Sequence, residues 1–142
     1  MIKNPVTVSF DSTVKEALTV MIRKDVGSVI VTEGIKPIGI ITERDVTRRS
    51  LSAKATATVY QESVAKMMSH PLITALPTTP IWEAFETLTA KKIRRLPIAK
   101  ENRLLGIVTE RDLMMWVLRI SYEPNIPDRI QKLIDSTYIK TI

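Results

Sequence analysis

Cysteine is absent from the chain. Disulfide cross-links, thiolate nucleophiles and zinc–thiolate sites are excluded with it. Histidine occurs once, as His70 in front of Pro71; at a turn it reads as a surface residue. No His-x-x-x-His pair, no glycine-rich phosphate loop and no paired catalytic carboxylates are present. Aromatic residues are scarce, at 5%, so a surface built for stacking nucleic-acid bases is poorly supplied. No apolar run approaches membrane-spanning length. The opening residues Met1-Ile2-Lys3-Asn4-Pro5 lack the apolar core of a signal peptide. The expectation is a soluble, cytoplasmic chain without an enzyme's catalytic motif.

What the chain does have is an ordinary apolar content of 44% over 142 residues, and a net charge of +6. The apolar share suffices for a packed core, and the length for one domain or two small intimate ones. The basic excess is spread along the chain and makes no tail. A basic surface favours anions in general: nucleotides, nucleic acid or acidic protein faces.

The most informative feature is a repeat. Gly39-Ile40-Ile41-Thr42-Glu43-Arg44-Asp45 recurs as Gly106-Ile107-Val108-Thr109-Glu110-Arg111-Asp112, an offset of 67 residues (39 to 106) with a single Ile-to-Val change. At the same offset Val14-Lys15-Glu16-Ala17-Leu18 lies over Ile81-Trp82-Glu83-Ala84-Phe85, and Ser28-Val29-Ile30-Val31 over Arg95-Leu96-Pro97-Ile98. Thr7 lies over Thr74, given one extra residue near His70-Pro71. The copies cover residues 4–49 and 70–117. Each is too short to bury much core alone, so the two together make one globular unit with internal pseudo-two-fold symmetry.

Each copy reads β-α-β-β-α. Thr7-Val8 and Thr74-Ala75 are short extended pieces. Thr13 and Glu16 have capping-box spacing, and Val14, Ala17, Leu18, Met21 and Ile22 follow on one helical face. Ile81, Ala84, Phe85 and Leu88 repeat the pattern, with Pro80 in the first turn. Strands are expected over 28–31 and 37–41, and over 96–99 and 104–108, joined through short polar hairpins. A second helix starts at each Thr-Glu-Arg-Asp. Outside the repeats, Ser50–Thr58 reads as a loop and Ser63–Met68 as a short helix introducing the second copy. Leu113–Leu118 is apolar nearly all round, and Asp128–Ser136 reads as a last helix with Ile130, Leu133 and Ile134 on one face.

The doubled unit, each copy ending Gly-h-h-Thr-x-x-Asp, resembles a pair of CBS domains. Ile93-Arg94-Arg95-Leu96-Pro97-Ile98 resembles that family's basic-Leu-Pro-Val strand. The Glu-Ala of the first helices (16–17 and 83–84) and Met67-Met68-Ser69 fit as well. The resemblance covers residues 4–120 and implies an α+β fold of tandem CBS domains, with boundaries at 1–58, 59–122 and a C-terminal helical extension 123–142. The chain departs from the pattern in three places. No introductory helix precedes the first repeat. Val26-Gly27-Ser28 stands where the second repeat has Ile93-Arg94-Arg95. The helix after Pro127 lies outside the repeat.

Thr42-x-x-Asp45 and Thr109-x-x-Asp112 have the spacing of helix capping boxes, and both helices need caps. The resemblance adds a ligand: each Asp accepts the hydroxyls of an adenosine ribose, while Thr and the first helix N–H groups face phosphate. Arg94 and Arg95, adjacent on a strand, point to opposite faces; by resemblance this position supplies a phosphate-binding base. The resemblance also places Ser12, Ala17, Val26, Ser28, Thr79, Ala84 and Ile93 around the adenosine, where the residue-level reading alone gives caps and tight core packing. The implied ligand is AMP, ADP or ATP, with S-adenosylmethionine a poorer match to an arginine-rich pole. No cofactor and no metal are expected. The function implied is a regulatory sensor, without catalysis, acting as a homodimer on an unidentified regulated protein and with no membrane association. The rival readings are a basic nucleic-acid-binding protein and a structural dimerisation module with empty sites.

Overall fold

The structure is a computed structural model and describes residues 1–53, 56–121 and 137–139. Its elements in chain order are β1 (Ile2–Lys3), β2 (Thr7–Ser9), α1 (Val14–Lys24), β3 (Ser28–Glu33), β4 (Lys36–Thr42), α2 (Glu43–Ala53), α3 (Thr56–Gln61), α4 (Val64–Met67), α5 (Ile81–Ala90), β5 (Arg95–Lys100), β6 (Arg103–Thr109) and α6 (Glu110–Ser121). They form two compact units, one of residues 5–72 and one of residues 1–4 with 73–142.

In the unit of residues 5–72, α1 begins at the box the spacing predicts. The Thr13 N–H donates to Glu16 Oε2 (2.7 Å) and the Glu16 N–H to Thr13 Oγ1 (3.2 Å), which satisfies two donors that a helix start leaves open. Val14, Ala17 and Met21 are buried because they recur at the helical period. They pack on Val29, Val31 and Ile41 of a three-stranded sheet ordered β2-β3-β4. β2 runs parallel to β3, and β3 and β4 form a hairpin. Its turn is only Gly34-Ile35, and Gly34 has φ of 59°, a backbone region that glycine enters without penalty.

The second unit repeats this design. Ile81, Ala84 and Leu88 of α5 pack with Leu96, Ile98, Val108 and Leu113. The β5–β6 hairpin turns at Glu101 and Asn102, with φ of 52° and 61°, the twist that two-residue hairpins favour. The extended piece at 74–75 is reduced to one parallel bridge, Ala75 to Ile98.

The segments leading into the repeats are exchanged. β1 precedes the first copy in sequence but pairs with β6 of the second, Ile2 opposite Ile107 and Lys3 opposite Gly106. Ser69 precedes the second copy but bridges Ile40 of β4, with N–H···O distances of 2.8 and 3.2 Å. Ile40 and Ile107 are equivalent positions, so the same sheet edge receives the other repeat's leader each time. Gly39 makes the close approach feasible: a Cβ there would press into the Met68 thioether and lie 3.1 Å from the Ser69 carbonyl oxygen.

A second correspondence was not visible in the repeat. The Val14 N–H donates to Glu62 O and the Val64 N–H to Ser12 O, both at 2.9 Å. In the other unit the Ile81 N–H donates to Thr137 O and the Ile139 N–H to Thr79 O, both at 3.0 Å. Residues 62–64 and 137–139 thus dock identically beside the first helix of each repeat, and Val64 and Ile139 are completely buried.

Several expectations change as a result. Ser50–Thr58 is not a loop throughout: α2 continues to Ala53 and α3 starts at Thr56, because Val59 is buried in the first core. The short helix α4 forms as expected, capped by Ser63, but it packs with α1 and β4 of the first repeat. The first repeat, with no introductory helix before it, is packed instead by Val59, Val64, Met67 and Met68. The C-terminal residues 137–139 serve the second repeat. The helix expected over 128–136 lies outside the described residues.

Candidate functional site

Each Thr-x-x-Asp turn closes on itself. The Thr42 N–H and hydroxyl both donate to Asp45 Oδ2 (2.9 and 2.7 Å), and the Asp45 N–H donates to Thr42 Oγ1 (3.2 Å). Thr109 and Asp112 repeat this at 2.9, 2.9 and 3.1 Å. The capping role read from spacing is therefore formed in both copies. It also redistributes the chemistry. The single hydroxyl proton of each Thr is committed to its carboxylate, so it has none for a phosphate. The Glu43 and Glu110 N–H groups are taken by Gly27 O (3.2 Å) and Arg94 O (3.1 Å). The helix-start donors left without a bond among the described residues are those of Arg44 and Arg111. Asp45 Oδ1 makes no hydrogen bond among the described residues; Asp112 Oδ1 lies 3.7 Å from the Met1 amino nitrogen.

The antiparallel hairpins set a second residue beside each turn. Arg95 stands directly opposite Thr109, and Ser28 directly opposite Thr42. Directly opposed residues share a sheet face. That face is the one away from the helices, since Leu96 and Val108, one step along, lie in the helix-side core. Arg95 thus shares a face with the Thr109–Asp112 turn. Arg94 goes elsewhere. It lines a cavity of about 280 Å³ with Phe85, Leu88, Thr89, Lys92, Ile93 and Glu110. Arg94 lies just before β5 and Arg95 is its first residue, and the two have separate surroundings.

The remaining candidates divide between packing and turns. Ala17 and Ala84 have no exposed surface and sit inside the two cores. Val26 and Ile93 are partly buried against the same cores. Ser12 and Thr79 hold the tight turns before α1 and α5: the Ser12 N–H donates to Ser9 O (3.0 Å), and Thr79 Oγ1 accepts from the Leu76 N–H (3.0 Å). Ser28 is buried. Glu110 and Lys92 were not anticipated as cavity residues. Their signal in the sequence is faint, a second cation beside Ile93-Arg94 and an acid inside the Thr-Glu-Arg-Asp turn. Glu43–Arg44 and Glu110–Arg111 form no ion pair among the described residues, whereas Arg49 and Glu62 do, at 3.0 Å. Trp116 packs on the core of its own unit, and Trp82 is the more exposed of the two. Among the described residues no cluster of acids and histidine could hold a metal ion, and no helix is long and apolar enough to cross a membrane.

The CBS-domain family model matches residues 1–52 and 64–119. The CBS domain-containing protein YhcV of Bacillus subtilis (strain 168) is 35% identical over 107 residues, 75% of this chain and 74% of that protein. An inosine-5'-monophosphate dehydrogenase of Aquifex aeolicus (strain VF5) is 37% identical over 136 residues, 94% of this chain but only 26% of the enzyme. Among solved structures, CBSX2 in complex with AMP has the same fold, with a TM-score of 0.71 at 22% identity over 85% of this chain and 94% of that one. Two β-α-β-β-α units with matching Thr-x-x-Asp turns agree with these matches, and the chain belongs to the CBS-domain family as a tandem pair of CBS domains.

Proposed function

We propose that this CBS pair binds an adenosine nucleotide, AMP, ADP or ATP, reversibly, and that it is a regulatory sensor with no chemical step of its own. The observation that carries the reading is Arg95 opposite Thr109. A guanidinium fork, the helix-start N–H of Arg111 and a carboxylate whose Oδ1 faces only the Met1 amino group, at 3.7 Å, come together at one turn. That set suits a molecule with an anionic end and vicinal hydroxyls. The AMP bound to CBSX2 makes AMP the first ligand to try. The match to inosine-5'-monophosphate dehydrogenase spans about a quarter of that enzyme, and the dehydrogenase activity is not carried over.

In this reading Asp45 and Asp112 accept ribose hydroxyls, chiefly through Oδ1, since Oδ2 already serves the cap; at Asp112 the ribose takes the place of the Met1 amino group, 3.7 Å away. Arg95 contacts phosphate at the second turn, where Ser28 at the first offers only a small buried hydroxyl. The second turn is the tighter site. Ligand binding favours one arrangement of the protein, and a regulated partner senses that arrangement. The working form is a cytoplasmic homodimer. Isothermal titration with AMP, ATP and S-adenosylmethionine tests the nucleotide assignment. Saturable binding of AMP or ATP, with S-adenosylmethionine weaker, is the expected result. Heat from none of the three at millimolar ligand would leave a structural module whose Thr-x-x-Asp turns are caps only.

A further inference from the structure

The cavity lined by Arg94 has no role in the nucleotide reading. Its floor is apolar: Phe85, Leu88 and Ile93 pack on the second core and also line the cavity. Its rim carries two cations, Lys92 and Arg94, and one acid, Glu110, all exposed. The Glu110 N–H donates to Arg94 O at 3.1 Å, so acid and cation are rooted side by side. Yet neither Lys92 nor Arg94 forms an ion pair with Glu110 or with any other acid among the described residues. Charges of both signs thus share about 280 Å³ without satisfying each other. That volume is at the small end for ligand pockets.

The first repeat serves as an internal control. At the equivalent positions it keeps the apolar floor, as Leu18, Met21 and Val26, and the acid, as Glu43. It has Asp25 in place of Lys92, Gly27 in place of Arg94 and Ile22 in place of Thr89. The floor and the acid therefore belong to the common design, and the cations belong to the second repeat alone. Asp25 and Lys92 share a left-handed backbone, with φ of 51° and 52°, at the point where a helix ends and glycine or asparagine is the unstrained choice. Aspartate can offset that strain with a local hydrogen bond, and lysine cannot. A cation is welcome near a helix C-terminus, but Asp25 shows that the fold does not require one there. What the second repeat gains at Lys92 is a charge on the cavity rim.

We propose that this cavity binds a free α-amino acid with an apolar side chain. Its carboxylate meets Arg94 and Lys92, its ammonium meets Glu110, and its side chain lies on Phe85, Leu88 and Ile93. A phosphate ester would bring like charge against Glu110, which is costly. A simple carboxylate would leave Glu110 without a partner. Only a molecule with both charges next to an apolar group satisfies the whole rim. The site is separate from the nucleotide turn. Phe85, Leu88, Thr89, Lys92 and Glu110 are none of the residues that the family resemblance gives to a nucleotide, and Arg95, opposite Thr109, does not line the cavity. The proposal therefore rests on no part of the nucleotide reading, and either can fail alone.

The test is an NMR titration of the full chain, without nucleotide, by L-phenylalanine and by L-leucine. Saturable amide shifts centred on Lys92, Ile93, Arg94 and Glu110 are expected, with Asp25, Val26 and Gly27 of the first repeat unmoved. No saturable shift from either amino acid at millimolar concentration, or shifts centred elsewhere, would overturn the proposal. Two analogues divide the charges. 3-Phenylpropanoate lacks the ammonium and 2-phenylethylamine lacks the carboxylate, and each should bind about tenfold or more weaker than L-phenylalanine. Either analogue binding as well as the amino acid would show that one half of the rim is not used, and the zwitterion assignment would fall. Three variants assign the groups. Arg94→Gln and Lys92→Asn should weaken L-phenylalanine and leave 2-phenylethylamine nearly unchanged; asparagine keeps the left-handed backbone. Glu110→Gln should weaken L-phenylalanine and leave 3-phenylpropanoate no weaker. The unaffected analogue reports that each variant is still folded. A variant that loses amino acid and analogue equally would count against the role given to that residue and against the proposal.

Discussion

Arg95 stands directly across the β5–β6 hairpin from Thr109, and the same position in the first repeat is held by Ser28 opposite Thr42. The fold thus gives two equivalent turns unequal means of holding an anion. Arg95→Ala should weaken AMP binding by about ten- to a hundredfold, the range of a charge-assisted hydrogen bond, and leave adenosine nearly unaffected. Arg94→Ala, in the separate helix-side cavity, should cost AMP much less. Calorimetric titration of both ligands against both variants measures this. Equal losses for AMP and adenosine would mean that Arg95 does not hold phosphate.

Asp45 and Asp112 each serve a helix cap, so their removal should register twice. Asp45→Ala or Asp112→Ala should lower stability by about 1 kcal/mol, a cap's worth. Binding at that turn should fall further, by about 2–4 kcal/mol, if the carboxylate also holds ribose hydroxyls. Urea unfolding reads the first quantity and titration the second. A loss of stability with unchanged affinity in both variants would reduce the carboxylates to caps.

Gly39 lies beneath the crossing of Met68 and Ser69. Gly39→Ala should therefore destabilise by about 1–3 kcal/mol, the usual cost of overpacking. Met68→Ala in the same chain should return part of that loss, because the Met68 side chain is the first obstacle a Cβ meets. A double-mutant cycle by denaturant unfolding decides it; strictly additive effects would place the strain elsewhere.

Ile139 is fully buried in the second core, although it lies far from the repeat in sequence. Ile139→Ala should cost about 2–5 kcal/mol, as for other buried aliphatic truncations. Tyr138→Ala beside it, 41% exposed, should cost far less. Thermal unfolding of the two variants compares them, and similar small losses would show that residues 137–139 are not needed by the core.

The sequence by itself determined what depends on local periodicity and on duplication. The α1 box at Thr13 and Glu16, the apolar stripes of α1 and α5, both hairpins and both Thr-x-x-Asp caps could be read directly. Each is fixed by residues within a few positions of one another, and the second copy confirmed the first. Separate surroundings for Arg94 and Arg95 were expected from strand alternation, although β5 starts only at Arg95 and Arg94 lies just before it. Tertiary structure decided what depends on which distant segment fills a given space. Ile2–Lys3 and Ser69 lie on the sheet edges of each other's repeats. Residues 62–64 and 137–139 share a role with almost no shared sequence, since backbone hydrogen bonds and one buried aliphatic side chain are all the role requires. Ala17 and Ala84, placed near a ligand by resemblance, lie in the cores because the helix faces that carry them point inward. Trp116 turned inward while Trp82 did not, because packing, not hydrophobicity, chooses which of two large apolar side chains finds a cavity to fill.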